Sequence, residues 1–180
     1  MQTYVAMLRG INVAGHKPVE MRALRESLEK AGFKSVKSYL QSGNVVFQAG
    51  ASTGRALAAT IAARIKRDFG HAVAVIVRAA PEMERVLRRN PFLKEKRVDP
   101  AALHVTFLSE VPSKTALAGL VRLPQGADRY IVRSSEIYVF CPHGYGRTKL
   151  TNNAFERILG VDATTRNWKT VKALAALGSQ

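Results

Sequence analysis

Four short segments of this chain combine glycine or small hydroxyl residues with arginine, lysine, asparagine or glutamine, and none of them contains aspartate or glutamate. They are 8–15 (LRGINVAG), 39–44 (YLQSGN), 144–151 (GYGRTKLT) and 164–170 (TTRNWKT). An anion is bound by groups that donate hydrogen bonds without adding negative charge, and by a backbone that can turn its amides outward. The segments therefore predict an anion-binding site, with a phosphate-bearing group as the expected ligand.

The residues expected to contact this ligand are the cationic and amide-bearing members of the four segments. They are Arg9, Asn12, Gln41, Asn44, Arg147, Lys149, Arg166, Asn167 and Lys169, with Trp168 added as a stacking ring. An indole can stack on a base or sugar, although an anchor in the core is the competing role for the single tryptophan of a chain. Cationic clusters without carboxylates repel one another unless an anion or a shared network holds them, so the segments are expected to lie together.

The composition adds a strong positive charge. There are 28 lysines and arginines against 13 aspartates and glutamates, a formal net charge of +15 and a pI near 10.5. Such a charge attracts nucleic acid, phosphorylated metabolites and anionic surfaces, and it says nothing about the fold. The expected partner is an anionic ligand, with nucleic acid favoured over a small metabolite.

Two other functions fit the same residues. The chain could be an enzyme acting on a small phosphorylated or carboxylated substrate at these donors, with Glu20 or His143 as a base. Alternatively, the asparagines, arginines and tryptophan could be structural and join parts of the fold through buried hydrogen bonds. Convergence on an exposed cleft would favour binding, and burial with mutual hydrogen bonds would favour the structural role.

Several kinds of site are excluded or disfavoured. The turn 10–18 has the glycine spacing of a P-loop, but His16 separates the second glycine from Lys17, and Pro18 stands where Ser or Thr would bind magnesium. Cys141 is the only cysteine, so no intramolecular disulfide can form, and the four histidines lack metal-ligand spacing. The sequence predicts neither a metal nor another cofactor.

No apolar run approaches the length of a membrane span, and the first residues lack the layout of a signal peptide. The sequence therefore predicts no membrane association and a cytoplasmic location.

Periodicity and turn residues predict the elements that must position the four segments. The expected strands are 3–8, 36–40, 45–48, 71–78, 103–108, 129–133 and 136–140, and the expected helices are 21–31, 53–69, 81–89, 113–121, 150–159 and 168–177. Both halves thus run strand, helix, hairpin, helix, which predicts an α+β fold of two ferredoxin-like βαββ-type halves, related by divergent duplication in element order. The predicted division is an N-terminal half at 1–93, a linker at 94–101 and a C-terminal half with extra helices at 102–180.

The same segments resemble the signature of an uncharacterised bacterial family with an opening close to LRGINVGG, a domain of unknown function called DUF1697. The resemblance runs through 6–15 (AMLRGINVAG), 39–47 (YLQSGNVVF), 90–92 (NPF), 146–150 (GRTKL) and 163–171 (ATTRNWKTV). Ala14 replaces the usual glycine, and His16 stands where polar or basic residues are common. The resemblance implies an α+β fold with ferredoxin-like halves and no established activity.

Overall fold

A computed structural model describes residues 1–124 and 126–180 of the chain. The described strands are β1 (Gln2–Leu8), β2 (Lys34–Tyr39), β3 (Asn44–Ala49), β4 (Val75–Ala79), β5 (Leu103–Leu108), β6 (Arg129–Arg133), β7 (Glu136–Phe140) and β8 (Ala163–Asn167). The described helices are α1 (Met21–Lys30), α2 (Gly54–Phe69), α3 (Ala80–Arg88), α4 (Lys114–Ala118), α5 (Asn152–Leu159) and α6 (Trp168–Gly178). No helix of these described residues is long and apolar enough to cross a membrane.

The chain forms two compact units, each built around one antiparallel sheet. Unit 1 comprises Met1–Arg85 together with Ala173–Gln180, and unit 2 comprises Val86–Lys172. The strand order is β2-β3-β1-β4 in the first sheet and β6-β7-β5-β8 in the second. This is the order of a ferredoxin-like βαββαβ unit, so the predicted fold of two ferredoxin-like halves is confirmed. The predicted boundaries at 93 and 102 stay a prediction.

Local sequence explains most of the element boundaries. Helix α2 begins where the Thr53 hydroxyl accepts a hydrogen bond from the Ala56 amide at 3.2 Å, and it ends at Gly70, which has a φ of +74°. Helix α5 uses the same pair of signals, with Thr151 as the N-cap and Gly160 in the left-handed region. A hydroxyl satisfies an amide that the helix leaves open, and glycine adopts the left-handed cap without steric cost.

The core of unit 1 lies between its sheet and helices α1 and α2. Tyr4, Ala6 and Leu8 of β1 are buried in this core together with apolar residues of both helices. Val5 and Met7, which point to the opposite face of the strand, are also fully buried. The first sheet is therefore covered on both faces, which explains the unbroken apolar run in β1.

Unit 2 has a separate core between its sheet and helix α5. Leu108, Ile137, Val139 and Phe155 are fully buried in it. Cys141 belongs to the same cluster and is a buried free thiol, as expected for a lone cysteine at the end of an apolar strand.

The two sheets also place an arginine at equivalent positions. Arg78 of β4 lies opposite Val5 of β1, and Arg166 of β8 lies opposite Val105 of β5. Both arginines are more than nine-tenths buried, and each stands two residues before a helix that starts directly from its strand. This correspondence is what a duplication of one βαββαβ unit would leave.

The sequence missed one strand. No strand was predicted at residues 163–167, whereas they form β8, which pairs with β5 from Ala163 to Asn167. Ala163, Thr164 and Arg166 are the buried residues of this strand, and the last two are polar. The two-residue alternation was present, but its buried positions carry polar side chains, so a hydrophobic pattern could not reveal it.

Candidate anion-binding site

The first two segments meet within unit 1. The Leu8 amide donates to the Gly43 carbonyl at 2.8 Å, and Asn12 Nδ2 donates to the carbonyls of Gln41 and Val19, both at 2.8 Å. The Val19 amide returns a hydrogen bond to Asn12 Oδ1 at 2.8 Å. All the polar atoms of the Asn12 side chain thus hold the turn 10–18 against the first hairpin.

The other predicted donors of unit 1 differ in their surroundings. Asn44 has no exposed surface, and its Nδ2 donates to the Tyr39 carbonyl at 3.0 Å and to Ser42 Oγ at 3.1 Å. Arg9 is half-buried, and the Gln41 side chain is exposed. In this unit the side chains of both asparagines are hydrogen-bonded within the fold, whereas the Gln41 side chain is exposed.

The third and fourth segments meet within unit 2. Gly144 and Tyr145 from one, and Asn167, Trp168 and Lys169 from the other, line a cavity of about 610 Å³ that also includes His104 and Lys172. We call this the Tyr145 cavity. The expectation that all four segments share one site spans both units and stays a prediction.

Trp168 and Arg166 support this cavity from inside the fold. Only 4 % of Trp168 is exposed, so the indole is mainly an anchor for the start of α6. Arg166 Nη1 donates to Thr164 Oγ1 at 2.8 Å and to the Thr165 carbonyl at 2.9 Å. Burial lowers the pKa of Arg166 to about 10, although the neighbouring Tyr145 acts in the opposite direction. Its guanidinium therefore remains charged at neutral pH.

A larger cavity of about 940 Å³ lies between α4 and α5 in unit 2. Its polar lining consists of cations, hydroxyls and one amide: Arg122, Lys149, Arg157, Ser113, Thr115, Thr148, Thr151 and Asn153. None of the described lining residues is aspartate or glutamate, and none of the three cations forms an ion pair with any residue that the structure describes. We call this the cationic cavity.

Two acidic residues next to lining residues of this cavity form hydrogen bonds within the fold. Thr148 Oγ1 donates to Asp128 at 2.6 Å, and Glu156 accepts a hydrogen bond from the Ala163 amide at 3.0 Å. The first turn of α5 reaches the cavity through Thr151, Asn153 and Ala154, and the start of a helix adds a partial positive charge. The described charged residues that line this cavity are therefore all cations.

Only part of this arrangement was visible in the sequence. Lys149 lines the cationic cavity, whereas Arg147, two residues earlier, is exposed and lines neither cavity. Sequence reasoning missed Arg122, Arg157 and Lys172. The i, i+3 spacing of Lys169 and Lys172 on α6 could have revealed the last of these, but Arg122 and Arg157 lie in separate helical segments with no local pattern to join them.

The proposed bases of the enzymatic alternative do not lie at these cavities. Glu20 occupies the N-cap position of α1 in unit 1, without a capping hydrogen bond from its side chain, and His143 is exposed and lines neither cavity. His104 does line the Tyr145 cavity, but burial lowers its pKa. Burial likewise raises the pKa of the Cys141 thiol, so this thiol is protonated at neutral pH and is a poor nucleophile.

Chelation is expected to leave the stability of the protein unchanged. Among residues 1–124 and 126–180, no group of three or more His, Cys, Asp or Glu is placed to hold a metal ion. A structural metal contributes directly to the free energy of folding. We therefore expect the same melting temperature with and without EDTA in a thermal denaturation experiment, and a drop of several degrees would contradict this expectation.

Both the sequence and the fold of the chain are similar to those of known proteins. A family model described as a protein of unknown function, DUF1697, matches residues 1–138. Among solved structures, the chain is similar to the conserved bacterial protein SP0830 from Streptococcus pneumoniae, with a TM-score of 0.77, 21% identity and 98% of each chain covered. At this identity the likeness shows the fold alone. A search of curated proteins finds no match.

Proposed function

This chain belongs to a family of unknown function, DUF1697, and from the geometry of unit 2 we propose that it binds a phosphate-bearing ligand, with nucleic acid favoured. The observation that carries the proposal is the cationic cavity. Three positive side chains surround it without a carboxylate partner.

Such an arrangement is electrostatically unfavourable when empty. Arg122, Lys149 and Arg157 line the same cavity and repel one another, and none of them forms an ion pair with a described acidic residue. A phosphate removes the repulsion and accepts charge-assisted hydrogen bonds, which are about twice as strong as neutral ones. The three residues are exposed and form no ion pair with a described residue, so their charges are available to a ligand.

Nucleic acid is favoured over a small metabolite for two reasons. The net charge of +15 provides long-range attraction to a polyanion. Also, the positive side chains are not confined to one cavity, because Lys169 and Lys172 lie at the Tyr145 cavity. A single small phosphate ester would use only one of these positions, whereas a nucleic acid backbone presents phosphates to both.

The test is the salt dependence of binding to a labelled single-stranded oligonucleotide. Each neutralised phosphate contributes about 0.7 to the slope of log K against log[salt] for a single strand. Replacing both Lys149 and Arg157 with alanine is therefore expected to lower that slope by about 1.4. The measurement is fluorescence anisotropy over a series of salt concentrations.

The matched control is Lys96→Ala with Arg97→Ala. These two residues are also one lysine and one arginine, are exposed, and line neither cavity. The control should keep the wild-type slope. An equal loss of slope in both double variants would show that binding is a diffuse effect of net charge, and the proposal would be wrong.

A further inference from the structure

The Tyr145 cavity differs from the cationic cavity in being lined by rings. The ring centroids of Tyr145 and His104 are 4.7 Å apart with an interplanar angle of 26°, so the two side chains are stacked. Trp168 borders the same space. The described lining residues of the cationic cavity include no aromatic residue at all. The two cavities therefore suit different parts of a ligand.

The edge of the Tyr145 cavity carries donors suited to a heterocycle. Asn167 is the direct partner of His104 in the register of β5 and β8. Its Oδ1 accepts the Thr170 amide at 2.8 Å and so caps α6, which fixes the Nδ2 group as the remaining donor. Asn167 is exposed, and Nδ2 donates to no other residue that the structure describes. Amide side chains beside aromatic rings are a common means of recognising unstacked bases.

His104 contributes a neutral ring rather than a charge. Its Nδ1 lies 3.3 Å from the Ala102 carbonyl, which places the proton on Nδ1. Burial holds its pKa below the ordinary value of a histidine. The positive charge at this cavity comes from Lys169 and Lys172, which are exposed on the first turns of α6. Aromatic lining residues with cations at the rim match a base joined to its phosphates.

The two cavities are joined by a short stretch of chain. Tyr145 lines one and Lys149 lines the other, and four residues of extended chain span at most about 14 Å. Each nucleotide advances one strand of B-form DNA by about 3.4 Å along the helix axis, and an unwound strand extends farther per nucleotide, so a few nucleotides cover this distance. A strand with phosphates at the cationic cavity can therefore place a nearby base at Tyr145.

We propose that the Tyr145 cavity takes an unstacked base, and hence that the nucleic acid bound by this protein is single-stranded. The inference rests on the proposed function, because it adds a site for a base to the site that the proposed function gives to the phosphates. A duplex keeps its bases stacked and paired, so it offers its phosphates to the cationic cavity and leaves the Tyr145 cavity empty.

The test compares three labelled probes of the same length: a single-stranded DNA 15-mer, its duplex, and a 15-mer in which abasic sites replace the bases. Loss of one base–aromatic stack weakens binding roughly 5- to 150-fold. The wild-type protein is expected to prefer the normal strand over both other probes by a factor in this range. These comparisons use the unaltered protein, so they do not depend on the folding of any variant.

Two variants locate the base. Tyr145→Leu should lose affinity for the normal strand by the same factor while keeping its salt slope, because stacking releases no counterions. Asn167→Ser keeps a side chain that can cap α6 and removes the Nδ2 donor, so it should lose a smaller part of the affinity. Neither change should affect binding of the abasic strand.

The outcomes separate the two proposals. If the wild-type protein binds the abasic strand or the duplex as tightly as the normal strand, and this binding also weakens with salt, the base assignment is overturned and the phosphate site stands. The base assignment also fails if folded Tyr145→Leu binds the normal strand as tightly as the wild type does. If none of the probes binds with a salt-dependent affinity, both proposals fail.

Discussion

Replacing Gly43 with alanine is expected to lower the free energy of unfolding by about 2–5 kcal/mol. Gly43 has a φ of +77°, and a Cβ at this position would lie 2.8 Å from Ile11 Cγ1 and 2.9 Å from Leu8 Cβ. The left-handed conformation costs an alanine about 1–2 kcal/mol, and overpacking costs about 1–3 kcal/mol. Both neighbours are fully buried, so they cannot move aside into solvent. Urea denaturation followed by circular dichroism measures the change.

Gly15→Ala is the matched control for this prediction. Gly15 also has a φ of +77°, but a Cβ there would have no neighbour within 4 Å. The control should therefore show only the conformational cost, about 1–2 kcal/mol. Equal losses in the two variants would mean that close packing of the hairpin against the first turn contributes nothing.

Replacing Asn12 with alanine is expected to lower the free energy of unfolding by about 2–4 kcal/mol. The change removes three hydrogen bonds, two donated to the Val19 and Gln41 carbonyls and one accepted from the Val19 amide. Val19 is only 2 % exposed, so water does not readily replace the two hydrogen bonds to Val19, whereas the bond to the Gln41 carbonyl is exposed. Asn12 also has a φ of +54°, which asparagine tolerates better than alanine. Chemical denaturation again gives the magnitude.

The same variant distinguishes the structural role of Asn12 from a ligand contact. Gln41→Ala removes an exposed side chain and leaves the backbone carbonyl that Asn12 uses, so its stability should stay within about 0.5 kcal/mol of the wild type. If Asn12 is structural, the folded Asn12→Ala protein should bind a labelled oligonucleotide as the wild type does. Unchanged stability together with weakened binding would reverse this assignment.

The sequence predicted most of the fold because the strands and helices depend on local patterns. The hairpin of β6 and β7 was placed at 129–133 and 136–140, the bounds that the structure has. Strand β4 was expected to begin at 71 but begins at Val75, since residues 71–74 have the composition of a strand without its pairing. Strand β8 was missed because its buried side chains are polar.

The candidate site was less predictable than the fold. Lys149, Asn167 and Lys169 could be found because each lies in a segment of unusual composition. Arg122 ends a 3₁₀ helix (Gly119–Arg122) and Arg157 lies on α5, so the two line one cavity only because these segments pack together. The hydrogen-bond partners of Asn12 and Asn44 could not be predicted either. An asparagine side chain can donate to a ligand or to a backbone carbonyl, and which of them lies within reach depends on the fold.

Unit 1 is discontinuous in the chain, and this has a consequence for the order of events on the ribosome. Its final piece, Ala173–Gln180, follows the whole of unit 2. A side chain added at Gly178 would meet Ala80 Cβ at 3.3 Å and Val5 Cγ2 at 3.7 Å, so this piece packs closely against residues that are synthesised before unit 2. At roughly 5–20 residues per second, translation of Val86–Lys172 takes on the order of ten seconds. During that interval the sheet of unit 1 lacks the last segment that packs against it, so unit 2 can finish folding before unit 1 does.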